Sequence, residues 1–366
     1  MSVDDMGRQP QGASPRGVRL LRVFQGRENF VVTIAWSPDG TRLATGSADE
    51  ARLHIWNTHS GELLYVSPIY PSSIKALAWS PDARRLAFGF STEAWIWDSG
   101  SGELLTCREG HHAGLWRLSW SSDGTRLAGW SVGWEVRVWD GGNGNVLYEV
   151  PGHNEGLKSP MAWSPDGRML ATGQTDGIVR MWDGYTGQLL HKLEGDQDKV
   201  WSLGWSPDGT RLAASTTGNV ARIWDGSNGQ LHHVLRGHEG WVRAVEWSPD
   251  GWQLATGSTD TTIRLWDRDS GKLRQTLQGL PAPFLHALAW SNDGMYLAAS
   301  VYKGRPGQVL IWHTPDWTWR ATVPLPGLIH GNGFIWHPYR PLLVAVGPTR
   351  AEVSLWQLEA GSDFAS

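Results

Sequence analysis

The chain has 366 residues, and 32 Lys and Arg against 36 Asp and Glu give it a formal charge of -4. That balance supplies no electrostatic footprint for a phosphate backbone, which needs clustered cations, so nucleic acid is not an expected partner. The lone cysteine, Cys107, excludes an intramolecular disulfide and a cysteine-based zinc site and suits a reducing, cytoplasmic setting. In chain order, residues 1–17 are rich in Gly, Pro, Gln and Ser and read as a disordered leader without the apolar core of a secretory signal. No later run approaches the eighteen apolar residues of a membrane span, so no membrane is expected.

Residues 17–26, Gly-Val-Arg-Leu-Leu-Arg-Val-Phe-Gln-Gly, match the later segment at 187–195, Gly-Gln-Leu-Leu-His-Lys-Leu-Glu-Gly. From Trp36 the chain then repeats. A tryptophan before a Ser-Pro-Asp-Gly-like turn recurs at 36, 79, 120, 163, 205, 247, 290 and 336, with spacings of 41 to 46 residues. A second series stands at 56, 97, 139, 182, 224, 266, 312 and 356, and five of its members precede Asp. A repeat of about 40 to 45 residues, with Gly-His early and Trp-Asp late, implies one four-stranded blade per repeat. Length therefore reports blade number, and a single domain is expected over 18–358 with a flexible tail at 359–366.

The sixth repeat shows the reading strand by strand. Residues 241–247 are β-branched and aromatic and stop at Ser248-Pro249-Asp250-Gly251, where proline presets one dihedral and glycine accepts positive φ. Second, third and outer strands follow at 253–258, 262–266 and 273–277, and no segment has helical periodicity. Across 18–358 the chain resembles the WD40-repeat family, with repeats in the style of bacterial members. The resemblance implies a hydrogen-bonded chain of His238, Thr256, Asp260 and Trp266, and another of His153, Thr172, Asp176 and Trp182. Other repeats depart from it: the first has Asp49 but Arg27 for the His, the third keeps His111 with Gly133 for the Asp, and the fifth has Asp196 and Asn219.

The expected architecture is an all-β, eight-bladed propeller of four-stranded antiparallel blades. Only seven outer strands follow a second-series tryptophan, so residues 17–26 should complete blade eight and remove an open sheet edge.

Catalysis finds little support. Gly129-Trp130-Ser131-Val132-Gly133 fits G-x-S-x-G, but a nucleophile elbow needs a strand-to-helix turn and this segment aligns with a second strand. No phosphate loop or H-E-x-x-H motif is present, and no cofactor or metal is expected. Among the innermost strands Glu246 is the exceptional acid.

What remains is surface recognition. Four residues before each first-series tryptophan stand Val32, Lys75, Trp116, Ser159, Trp201, Arg243, His286 and Asn332. Two residues earlier, on what alternation makes the same side, stand Phe30, Ser73, Gly114, Leu157, Lys199, Trp241, Phe284 and His330. Trp116, Trp201, Trp241 and Phe284 are aromatics that the repeat does not require, and Trp134 should lie near Trp116. With Lys75, Arg243 and His286 they form the expected partner-binding set on the face that the resemblance calls the top, since Trp and Arg are enriched in interface hot spots. Packing over the channel mouth is the competing role for these rings. The blade-seven turn at 301–307 is a second candidate, and Trp317 with Trp319 should share one face of an outer strand and pack.

The expected function is a monomeric, non-catalytic scaffold that captures a protein or peptide. The alternatives are a ligand-sensing module acting in trans with a kinase- or NTPase-type effector, and, behind it, a propeller hydrolase or lactonase.

Overall fold

The computed structural model describes residues 17–25, 31–107, 111, 114–131, 135–151, 160–196, 198–281, 284–302, 307–325, 333–346 and 352–359. The leader at 1–16 and the tail at 360–366 therefore lie outside the described residues, as do most of the blade-seven turn and both His153 and Trp134. The described residues form eight antiparallel four-stranded sheets, and no helix is found among them. Blades one to seven each take four consecutive strands, for example 31–36, 42–47, 53–57 and 63–66 in blade one.

Blade eight is assembled from both ends of the chain. Its inner three strands are Phe334–Trp336, Leu342–Val346 and Glu352–Leu358, and Val18–Gln25 is hydrogen-bonded outside them. The register runs from Val18 opposite Leu358 to Gln25 opposite Glu352, with one irregularity between Leu20 and Arg22. The amino-terminal strand thus closes the ring, as its match to 187–195 implies. Phe24 is buried against Trp56, ring centroids 5.7 Å apart, within a cluster that holds Val31 and Leu43 of blade one with Val344 and Leu355 of blade eight.

The first-series tryptophans have a role that their spacing does not disclose. Seven of the eight donate an indole N–H to a backbone carbonyl of the preceding blade: Trp79 to Ala35, Trp120 to Ala78, Trp163 to Ser119, Trp205 to Ala162, Trp247 to Gly204, Trp290 to Glu246 and Trp336 to Ala289, at 2.9 to 3.4 Å. Each acceptor is the residue just before the neighbour's own first-series tryptophan. The closure seam breaks the rule. There the corresponding residue is Ile335, and among the described residues the buried Trp36 indole N–H has no hydrogen-bond partner; its ring meets His337 edge-on at 4.8 Å.

The turns follow from their sequence. Ser Oγ donates to the carboxylate two residues on, as in Ser37 to Asp39 and Ser206 to Asp208, and that carboxylate accepts the amide of Thr41 or Thr210. Gly40 and Gly209 sit at φ of 71° and 72°, a region that costs an L side chain about 1–2 kcal/mol.

In blade six His238 Nε2 and the Trp266 indole both lie 2.8 Å from Thr256 Oγ1, and His238 Nδ1 lies 2.8 Å from Asp260. Burial holds the imidazole below its ordinary value despite the Asp260 carboxylate. In blade four the Trp182 indole donates to Thr172 at 2.9 Å, and Asp176 pairs with Arg180.

Two expectations need correction, and one departure from the repeat finds its reason. Blade three does not leave His111 without an acid: Glu135, two positions beyond Gly133, meets it at 3.2 Å. Gly129 replaces the hydroxyl residue there, so the buried Trp139 indole N–H has no hydrogen-bond partner among the described residues. Asn219 of blade five stands at φ of 60°, a turn position that asparagine tolerates well. Trp317 and Trp319 do not share a face, because Trp317 precedes the outer strand at positive φ and packs edge-on against Trp290, while Trp319 is 58% exposed.

A candidate partner-binding site at the channel mouth

The innermost strands surround a central cavity of about 450 Å³ to which all eight blades contribute. What aims side chains into it is a repeated backbone irregularity. The pairing of inner and second strands slips between Val31 and Thr33, Ile74 and Ala76, Leu115 and Arg117, Val200 and Ser202, Val242 and Ala244, and Leu285 and Ala287. The extra residues at those slips are Val32, Lys75, Trp116, Trp201, Arg243 and His286. A β-bulge re-aims its extra residue, and here all six line the channel.

The bulge also breaks the two-residue alternation, so the residues two positions earlier do not follow. Trp241 is 50% exposed and lies outside the channel lining, at the blade-six rim where its carbonyl accepts the Thr259 amide. The side chain of Phe284 lies outside the described residues, as does Trp134. In the blade-seven turn Val301 and Tyr302 continue the second strand, and Tyr302 is buried with its ring edge-on to His286 at 5.9 Å.

The re-aimed residues form two cation–aromatic groups. Lys75 Nζ stands 4.7 Å from the Trp116 ring centre. Trp201 receives both Arg243, at 4.4 Å, and Lys199, at 5.0 Å. Such contacts contribute about 0.5–1 kcal/mol when exposed and more when desolvated. They hold long flexible cations in place, and both indoles remain partly accessible. Burial lowers the Arg243 guanidinium from its usual value.

Deeper in the channel lie Arg117 and Glu246. Both are surrounded by protein yet water-accessible, since each stands in the cavity rather than in the packed core. Burial pushes the Glu246 carboxyl up to about 7, partly offset by the Arg117 charge. Arg117 was not among the expected site residues, although one signal marks it. Three residues before each first-series tryptophan stand Thr33, Ala76, Arg117, Pro160, Ser202, Ala244, Ala287 and Gly333, a column of small residues broken once.

Ser131, centre of the G-x-S-x-G match, is fully buried at the end of an antiparallel strand, which is no nucleophile elbow. Among the described residues no group of three His, Cys, Asp or Glu is placed to hold a metal ion.

Comparison with known proteins agrees with the repeat. The family model described as WD domain, G-beta repeat, matches residues 18–57, 102–140, 187–225 and 229–267. Each matched stretch starts at the outer strand of one blade or in the turn just before it and ends on the third strand of the next, which is why the first one includes the clasp. A model of the Anaphase-promoting complex subunit 4 WD40 domain matches 143–201. Similar curated proteins are the U5 small nuclear ribonucleoprotein 40 kDa protein of Bos taurus, 40% identical over 60 residues, and that of Homo sapiens, 38% identical over 60 residues. Each match covers 15% of this chain and 16% of the relative, about one and a half repeats. The chain is an eight-bladed β-propeller carrying WD40 repeats.

Proposed function

We propose that this propeller is a non-catalytic scaffold that captures a protein or peptide at the mouth of its channel. The carrying observation is the bulge column, which turns Lys75, Trp116, Trp201, Arg243 and His286 onto one accessible surface. Aromatic and arginine side chains on a rigid frame suit recognition, because little conformational entropy remains to be lost. The net charge of -4 favours a protein over a nucleic acid partner, and the single cysteine favours a cytoplasmic setting. The similar U5 small nuclear ribonucleoprotein protein bears a name of particle membership, which fits a scaffold role for this chain too. Trp241 extends the proposed surface outward at the rim.

A second reading has its own support. A channel cavity of about 450 Å³ lies within the 300–1,000 Å³ of small-molecule sites, which favours ligand sensing relayed in trans, as in the bacterial-type WD40 proteins that these repeats resemble. Affinity capture with cross-linking mass spectrometry separates the two. Cross-links from Lys75 and Lys199 to one protein support the scaffold, whereas capture of no protein alongside a co-purifying small molecule supports the sensor.

A further inference from the structure

Arg117 is an unusual group to leave where it stands. Among the described residues its guanidinium makes no hydrogen bond and no ion pair within 4 Å, and it stands water-accessible in the channel. Its five fixed N–H donors therefore face solvent in a narrow space, open to an entering acceptor. Seven blades place a small residue or proline at this position, so the column itself needs no long side chain. Lys75 and Arg243 stand above it toward the mouth, each held against an indole. Among the described residues the channel lining therefore gathers three cations, Arg117, Lys75 and Arg243, against one acid, Glu246, in a chain whose net charge is negative.

We infer that Arg117 is the anchor for a carboxylate of the captured segment, an Asp or Glu side chain that enters past Trp116 and Trp201 and is received bidentately by the guanidinium. This rests on the channel-mouth reading of the function and names what that mouth selects. A carboxylate accepts two parallel hydrogen bonds donated by a guanidinium, so geometry as well as charge discriminates against an amide. Lys75 and Arg243 guide the acid inward, and Glu246 is the internal competitor for the same guanidinium.

The test uses three fluorescent hexapeptide pools, random except at one central position that is Glu, Gln or phosphoserine, titrated into the full chain by anisotropy. The Glu pool is expected to bind about tenfold or more tightly than the Gln pool, as a charge-assisted pair requires. Arg117→Gln should reduce that preference to less than about twofold, Arg117→Lys should keep part of it, and Glu246→Gln should preserve or raise it. Circular dichroism establishes that each variant is folded, and Arg117→Lys carries the comparison should Arg117→Gln not fold. Equal binding of Glu and Gln pools, or binding of neither, overturns the carboxylate anchor. So does a preference for phosphoserine over Glu, or a Glu preference that survives in Arg117→Gln. If the pools bind equally and Trp201→Ala abolishes both, the channel-mouth reading stands while the anchor fails. Binding that ignores both residues removes the two together.

Discussion

The closure seam should be the most vulnerable joint in the ring, and Phe24 is where to strike it. Every other blade junction has an indole N–H bonded across it, whereas among the described residues the Trp36 indole N–H at this one has no hydrogen-bond partner. The seam instead relies on the amino-terminal strand, whose Phe24 is 2% exposed and sits in the cluster joining blades one and eight. Truncating a buried phenylalanine costs about 3–5 kcal/mol, through lost transfer energy and the cavity left behind. Leu21, on the same strand but 37% exposed, should cost less than about 1 kcal/mol when truncated. Urea unfolding followed by tryptophan emission, with size-exclusion chromatography of the folded protein, compares Phe24→Ala with Leu21→Ala. Because a chain of this length need not unfold in one step, the first transition midpoint is the quantity to read. Phe24→Ala should lower it sharply. Deleting residues 1–16 should not move it, whereas deleting 1–26 should expose Glu352–Leu358 as an edge and cause aggregation. Equal midpoints for the two alanine variants, or equal stability of the two truncations, would refute this account of closure.

The same denaturation assay checks the indole locks: Trp205→Phe should cost about 1–2 kcal/mol more than Trp36→Phe, since only the former strips a partner from a carbonyl, that of Ala162. Asp260→Ala should cost about 2–3 kcal/mol, because His238, Thr262 and the Glu239 amide all bond to that carboxylate, whereas Asn219→Ala should cost roughly 1 kcal/mol from its left-handed backbone alone. The reverse order in urea midpoints would reject that assignment. In acid, His238 has a folded pKa depressed below its ordinary 6.5, so its contribution is complete above that value and is lost as pH falls through the folded one. Asp260, depressed below 3.8, adds a second loss at lower pH. Melting temperature should therefore fall on acidification from pH 7, and His238→Gln should flatten the first part of that fall. At the channel, Trp201→Ala and Arg243→Ala should each weaken partner capture by more than about 1 kcal/mol. The exposed Arg84, in the blade-two turn between first and second strands, is the opposite-face control. Loss of binding in Arg84→Ala with both channel variants intact would move the interface to the other face.

The propeller was legible because two tryptophan series and a proline–glycine turn recur with almost constant spacing, and a strand of five or six residues between fixed points leaves little freedom. The clasp was legible for the same reason, as an outer-strand pattern displaced to the front. The inter-blade indole bonds were not, since a tryptophan that packs and a tryptophan that also donates look identical in sequence. Local substitution was hidden too: Glu135 takes the place of an Asp two residues earlier, a shift that a longer side chain accommodates and a fixed-position alignment misses.

The candidate site divides along one physical line, the β-bulge. The re-aimed residues stand four before each tryptophan, because the bulge falls at the same place in each of the six pairings that show it. Residues two further back would share that side only under unbroken alternation, which the bulge cancels. Trp241 consequently lands on the rim, and Arg117, one residue the other way, lands in the channel. A classical alternation places neighbours on opposite faces, whereas a bulge lets adjacent residues turn toward the same one. Hence Trp116 and Arg117, adjacent in sequence, both face the cavity, one as an accessible ring at the mouth and the other as a charge below it. Deleting the bulge residue of blade three, Trp116, leaves Arg117 opposite Trp130 and still facing the channel, and should instead remove the ring at the mouth. That variant should bind more weakly yet keep the Glu-over-Gln preference that Arg117→Gln loses; loss of the preference would show that the Trp116 ring, and not the guanidinium, selects the acid.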